Sequence, residues 1–371
     1  MGPSRHLSRR AFARWTTALT AGATIPILNE AALAQMSYMG EPPPDAVLLN
    51  ANENPLGPCP EALEAMNAAL KSGGRYLFGE TMRLSRVFAG QEGLRPDYVQ
   101  SFAGSSDTLH RTILAFCSPT RSYVAAEPTF ESGERPARHV GAKIVSVPLR
   151  KDYAHDVRVM LERAGKDAGV FYLCNPNNPT GTPTPREDIE FLLANKPAGS
   201  IVLLDEAYIH FTEIKSGIDL VAAGKDVVVL RTFSKIYGMA GLRAGFAVAR
   251  PDLLEKIRPY GTGFLPTTGM VGAAASLTAK NLVPERRAWL RNIRESVFEW
   301  MSKRDYSFTQ GITNCFMVDV KRPGREIISA LAARKVYVGR TWPCWPTHVR
   351  ITVGTRDEMQ KFQTAFEQVM V

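Results

Sequence analysis

The sequence predicts an α/β protein: a large domain built on a mostly parallel sheet with helices on both faces, and a smaller α+β domain. Three observations carry that prediction. From about residue 100, short apolar and β-branched runs alternate with helical stretches, as strands do when helices cover both faces of a parallel sheet. Beyond residue 284 the alternation gives way to one long amphipathic helix, then strand, helix, strand and helix. Finally, 45% hydrophobic and 22% charged residues in 371 fit a globular chain of two or three compact units. Disordered, collagen-like and disulfide-scaffold classes are excluded.

In chain order, the first 34 residues read as an address. Ser8-Arg9-Arg10-Ala11-Phe12-Ala13-Arg14 precedes a mildly apolar stretch over 15–28 and then Ala32-Leu33-Ala34. That is the order of a basic region, a weak hydrophobic region and a small-residue cleavage site. Paired arginines with Phe two residues on resemble a twin-arginine export signal, so export, to a bacterial periplasm, and cleavage after Ala34 are expected. Strands are expected at 123–125, 143–147, 170–174, 201–205, 227–231 and 244–248, with helices such as 107–116 and 186–195 between them. The helix at 284–305 sets Trp289, Ile293, Val297 and Trp300 at helical spacing. Strand 315–320, helix 325–334, strand 348–353 and helix 357–369 follow. These elements assign 73–270 to the large domain, and 35–72 with 271–371 to the small one. No run of about 18 apolar residues exists, so no stable membrane anchor is expected.

Charge and cysteine usage narrow the function classes. Of the net charge of +9, part sits in residues 1–34, where Arg5, Arg9, Arg10 and Arg14 face only Glu30. The remainder forms no block, which argues against a nucleic-acid partner. Cys59, Cys117, Cys174, Cys315 and Cys344 stand far apart without a C-x-x-C pair, so no metal site or disulfide framework is expected, only buried thiols. His110, His139, His155, His210 and His348 form no constellation with a nucleophile or metal. Gly261-Thr262-Gly263 lacks a third glycine and no P-loop motif exists, which removes dinucleotide and P-loop readings.

Three apolar runs each stop at a polar cluster. One leads into Asn175-Pro176-Asn177-Asn178-Pro179-Thr180-Gly181, the next into Asp205-Glu206-Ala207-Tyr208, and the third into Arg231-Thr232-Phe233-Ser234-Lys235. Ligands of open α/β sheets bind beyond the carboxyl ends of the strands, so one rim can gather an amide, a carboxylate, a phenol and an amine. Singly, each has an ordinary structural use in a turn or a helix cap.

Together they resemble the fold-type-I pyridoxal-phosphate aminotransferases, and within them the histidinol-phosphate aminotransferase branch. The likeness runs from Asn52-Glu53-Asn54-Pro55-Leu56-Gly57 through Ser234-Lys235-Ile236-Tyr237-Gly238-Met239-Ala240-Gly241-Leu242-Arg243 to Arg350-Ile351-Thr352-Val353-Gly354-Thr355. It implies that Lys235 is the lysine that forms the cofactor aldimine and moves the proton. It makes Asp205 the partner of the pyridine nitrogen, and Tyr208 and Asn178 donors to the ring's phenolic oxygen. Phe130 matches the aromatic that stacks on the ring. The helix opened by Gly104-Ser105-Ser106-Asp107 presents free N–H groups to an anion. With Ser234 and Arg243 it would cradle the phosphate, and Tyr76 would reach the phosphate of the neighbouring subunit in a homodimer. Arg350 matches the substrate-carboxylate arginine, suited to a bidentate pair. Arg340 falls near a second anion-binding arginine, and Asn54 is expected on the substrate side.

The expected activity is exchange of an amino group between an amino acid and a 2-oxo acid by ping-pong chemistry. Related chemistry on the same motifs, a decarboxylase or β-lyase of the threonine-phosphate decarboxylase type, is the alternative. A regulator on this fold would need a winged-helix domain ahead of Asn52, where too little chain is expected to hold one. The stretches 261–266 and 341–346 depart from the branch. Both fall on the substrate side, so histidinol phosphate is not expected to be the physiological substrate.

Overall fold

The computed structural model describes residues 42–371 apart from residue 262, and the expected export signal lies outside the described residues. The strands are β1 (Val47–Leu49), β2 (Val99–Phe102), β3 (Ser122–Glu127), β4 (Ile144–Pro148), β5 (Ala168–Cys174) and β6 (Ile201–Asp205). They continue with β7 (Val227–Thr232), β8 (Gly245–Val248), β9 (Ser307–Phe308), β10 (Cys315–Asp319), β11 (Val336–Val338) and β12 (His348–Thr352).

Seven strands form one sheet in the order β2-β8-β7-β6-β5-β3-β4. The neighbours from β4 to β7 pair in parallel, while β8 runs against both β7 and β2. Its central strands are apolar on both faces. On β5, Phe171 and Leu173 enter one buried cluster while Val170, Tyr172 and Cys174 enter the other. That is why the run reads as continuous rather than alternating. Val202, Val228 and Val229 are fully buried, each contributing about 1.5–3 kcal/mol through burial.

The other described strands make a three-stranded sheet, β12-β10-β9, and the parallel pair β1-β11 with Val47 opposite Val336. The long helix runs Leu282–Ser302, with Ile293 and Val297 buried and Trp289 and Trp300 packed at its margin. Arg294 on the same helix is buried and donates to the Ile312 carbonyl at 2.7 Å, which stops the segment before β10. The last helix, Arg356–Met370, starts on a reciprocal Thr355–Glu358 capping box. Four cysteines are buried free thiols, but Cys344 is exposed, because its proline-flanked loop turns it outward. Among the described residues no helix is long and apolar enough to cross a membrane.

Candidate active site

Because β5, β6 and β7 are parallel neighbours, with Cys174 opposite Asp205 and Asp205 opposite Leu230, their carboxyl ends share one rim. A cavity of about 250 Å³ opens there. Asn178, Asp205, Tyr208, Ser234, Lys235 and Arg243 line it. Ser105, Ser106 and Phe130 complete the set of expected residues on its wall.

At the cavity floor, Asp205 is fully buried and holds two donors. Tyr172 Oη donates to Oδ2 at 3.0 Å and the Ala207 N–H to Oδ1 at 3.1 Å. Burial pushes its carboxyl up to about 6, although these donors and the nearby Lys235 favour the charged form. Lys235 is buried; its Nζ donates to the Ala51 carbonyl at 3.2 Å and lies 5.5 Å from the centre of the Tyr208 ring. Tyr208 Oη accepts from Asn52 Nδ2 at 3.0 Å. Asn178 Oδ1 accepts from Arg350 at 3.0 Å, which leaves its NH2 as the donor side of the amide.

The opposite end suits an anion. The 12-residue helix Ser105–Phe116 begins there, opened by Gly104 as the sequence suggests, and helix starts offer N–H groups to phosphate. Arg243 donates to Ser234 Oγ at 3.4 Å and to the Ala103 and Ala240 carbonyls, and burial pulls its guanidinium below its ordinary range. Gly104 has φ +87°, and a Cβ there would lie 2.3 Å from Arg243 Nη2. Only glycine lets that guanidinium lie against the helix start. An aldehyde-reactive amine, a buried carboxylate and a cationic cradle at the two ends of one cavity fit pyridoxal phosphate.

The remaining expected residues are placed differently. Asp107 pairs with Arg111 at 2.8 Å, outside the cavity lining. Asn54 donates to the Ile236 carbonyl and accepts from the Leu56 N–H, so it braces the turn while Glu53 lines the cavity. Tyr76 is 73% exposed, stacks on Phe78 at 5.5 Å and meets a tilted Phe264 ring at 5.2 Å. Arg350 on β12 is fully buried and also donates to the Asn50 carbonyl at 2.6 Å. Arg340 is ion-paired with Glu131 and lies 3.8 Å over the Trp342 ring. His110 and His210 bond Ser132 and Arg231, and among the described residues no His, Cys, Asp and Glu group could hold a metal.

Sequence reasoning missed Tyr172 and Glu131, and named Asn52 and Trp342 only as members of longer stretches. Tyr172 left a trace, a phenol midway along an apolar strand, where a buried hydroxyl needs a partner. Asn52 takes φ +52° and exchanges bonds with Thr352, 300 residues away, which no local pattern announces.

A family model described as "Aminotransferase class I and II" matches residues 44–366. A histidinol-phosphate aminotransferase of Symbiobacterium thermophilum is 34% identical over 88% of this chain and 91% of its own. An aromatic amino acid aminotransferase of Cutibacterium acnes is 30% identical over 88% and 93%. The structure also resembles the histidinol-phosphate aminotransferase of Sinorhizobium meliloti solved with pyridoxal-5'-phosphate, with a TM-score of 0.84 at 23% identity, covering 98% of this chain and 99% of that one.

Proposed function

This chain belongs to the aminotransferase class I and II family and is a pyridoxal-phosphate-dependent transaminase, and from that premise we propose which residues do the work and on what. The observation that carries the assignment is Lys235 just past β7 and Asp205 at the end of neighbouring β6, both on one cavity. When bound, pyridoxal phosphate supplies a carbonyl that condenses with amines and a pyridinium ring that takes up the electron pair left at the substrate Cα.

Lys235 would hold the cofactor covalently and, once displaced by substrate, its amine would take and return the proton at the substrate Cα. Asp205, kept in place by Tyr172 and Ala207, would stabilise the protonated ring nitrogen. Tyr208 and Asn178, each oriented by a bond at its other side from Asn52 and Arg350, would donate to the ring's phenolic oxygen. Ser105, Ser106, Ser234 and Arg243 would hold the phosphate, and Phe130 would cover the ring. Arg350 pairs with the substrate's α-carboxylate.

The substrates are an amino acid and a 2-oxo acid. We propose that an α-amino acid, rather than the histidinol phosphate named for the Symbiobacterium relative, is the physiological donor. A buried guanidinium next to Asn178 favours a carboxylate at the reacting carbon, and residues 341–346, with Trp342 buried against Arg340, depart from the histidinol-phosphate aminotransferase branch on the expected substrate side. The test is purified holoenzyme with panels of amino donors and oxo-acid acceptors. Transfer of the amino group to an oxo acid is expected; release of CO2 or ammonia overturns it in favour of a decarboxylase or lyase.

Two further readings accompany it. The exposed Tyr76, Phe78 and Phe264 suit the face of a homodimer, with Tyr76 reaching the partner's phosphate. Arg9 and Arg10 support twin-arginine export of the folded enzyme, and Arg9→Lys with Arg10→Lys is expected to hold it in the cytoplasm, as fractionation would show.

A further inference from the structure

Beside the cavity, behind its lining residues Phe130 and Asn178, two guanidinium groups lie on a single indole. Arg340 lies 3.8 Å and Arg350 5.7 Å from the centre of the Trp342 ring. Trp342 is fully buried, and its Nε1 donates to the Thr129 carbonyl at 3.1 Å, beside the cavity-lining Phe130. The two arginines are treated differently. Arg350 donates to an amide oxygen and a peptide carbonyl, from Asn178 and Asn50. Arg340 instead places both terminal nitrogens on the carboxylate of Glu131, the residue after Phe130. That pair is largely buried, with side chains 10% and 23% exposed.

A guanidinium held in this two-pronged way has its charge balanced and two of its N–H directions filled. An arriving phosphate or carboxylate meets the Glu131 charge at contact distance. To displace it, the newcomer must strand a carboxylate in a poorly solvated place. Like-charge contact of this kind is how sites reject a wrong partner.

We propose that Glu131 is a specificity-determining residue: by pairing with Arg340 it makes the subsite beyond Phe130 prefer amino acids with uncharged aromatic or aliphatic side chains over those with a distal anionic group. This rests on the reading that the enzyme transaminates α-amino acids with Arg350 on the carboxylate.

The test uses full-length holoenzyme and single-turnover amino-group transfer from L-phenylalanine and L-leucine against L-glutamate and L-histidinol phosphate. The wild type is expected to favour the uncharged pair by at least about tenfold in kcat/KM. Glu131→Gln is expected to raise kcat/KM for the anionic pair about tenfold while L-phenylalanine stays within about twofold, and adding Arg340→Ala is expected to cancel the gain. Glu131→Asp, which keeps the charge and shortens the reach, is expected to give part of the shift should the Gln variant not fold. A wild type that prefers the anionic pair, or a substrate ratio unmoved in both Glu131 variants, overturns the proposal. Failure of the underlying reading looks different: no amino acid in the panel would transfer its amino group.

Discussion

The floor of the cavity hangs from three neighbouring parallel strands, β5, β6 and β7, whereas the outer wall that holds Arg350 and Arg340, behind the lining residues, is assembled from β12 and two loops. On the floor, backbone ladders set the spacing of β6 and β7, with Asp205 the last residue of one and Lys235 three residues past the end of the other. On the wall, position depends on contacts between distant parts of the chain, Arg350 with Asn50 and Arg340 with Glu131. Floor residues therefore answer to the sheet, and wall residues to one another. Substitutions on the floor should abolish chemistry or cofactor binding, while those on the wall should change which substrate is used.

The largest effect is expected at Lys235. On the proposed roles Lys235→Ala would remove both the covalent anchor and the proton carrier, and turnover is expected to fall by roughly 10⁴-fold or more. The visible absorption of bound cofactor and the adduct trapped by borohydride should vanish with it. Covalent cofactor fixed at another residue would break the assignment of the floor.

Asp205 tests the floor through stability. Its carboxyl is pushed up to about 6 from an ordinary 3.8 by burial. Between those two values the native, cofactor-free protein holds a proton that the unfolded chain has lost, so stability falls as pH rises through the window and stays lower above it. The penalty is at most about 3 kcal/mol at pH 8. Asp205→Asn is expected to raise the stability of cofactor-free protein at pH 8 by up to that amount, to flatten the pH 4–8 dependence, and to weaken cofactor retention. Urea unfolding at both pH values measures it; an unchanged pH profile would show that another group carries the dependence.

How far the sequence reveals each region follows from the same contrast. The strand ends bearing Asn178, Asp205 and Lys235 are readable because a period-free apolar run followed by a polar residue is a local signal. β8 is not readable in its direction: Gly245–Val248 is a short apolar run like its parallel neighbours, and composition carries no sign of orientation. β2 and the β1-β11 pair escape for a related reason, since runs of three or four residues are too short for periodicity. Glu131 leaves no trace and Trp342 shows only as part of the unusual 341–346 stretch, because their meaning lies in partners over 200 residues away.

On the wall, Arg350→Lys replaces a planar fork with a point charge. The lost two-pronged contact is expected to cost about 1.5–3 kcal/mol, seen as a KM for the carboxylate substrate raised roughly 10- to 100-fold with cofactor still bound. Steady-state kinetics beside an absorption spectrum separates the two. Cofactor loss in place of a KM change would move Arg350 from the wall to the floor, through its bond to Asn178.

The smallest effect is expected at Tyr76, where the phosphate end of the cavity would be completed by another copy of the chain. Its ring packs at 5.5 Å on Phe78 and 5.2 Å on Phe264, while 73% of the residue is open to solvent. So large an aromatic surface gains by being covered. Tyr76→Phe keeps the stack and deletes the hydroxyl alone, so a dimer should persist while the cofactor loses one hydrogen bond. That is worth about 0.5–1.5 kcal/mol, a roughly two- to tenfold faster loss of cofactor on dialysis. Tyr76→Ala removes the ring as well and is expected to weaken the dimer in sedimentation. A fully active monomer, or cofactor retention in Tyr76→Phe equal to the wild type, would mean that every contact to the phosphate comes from one chain and that the cradle of Ser105, Ser106, Ser234 and Arg243 is sufficient alone.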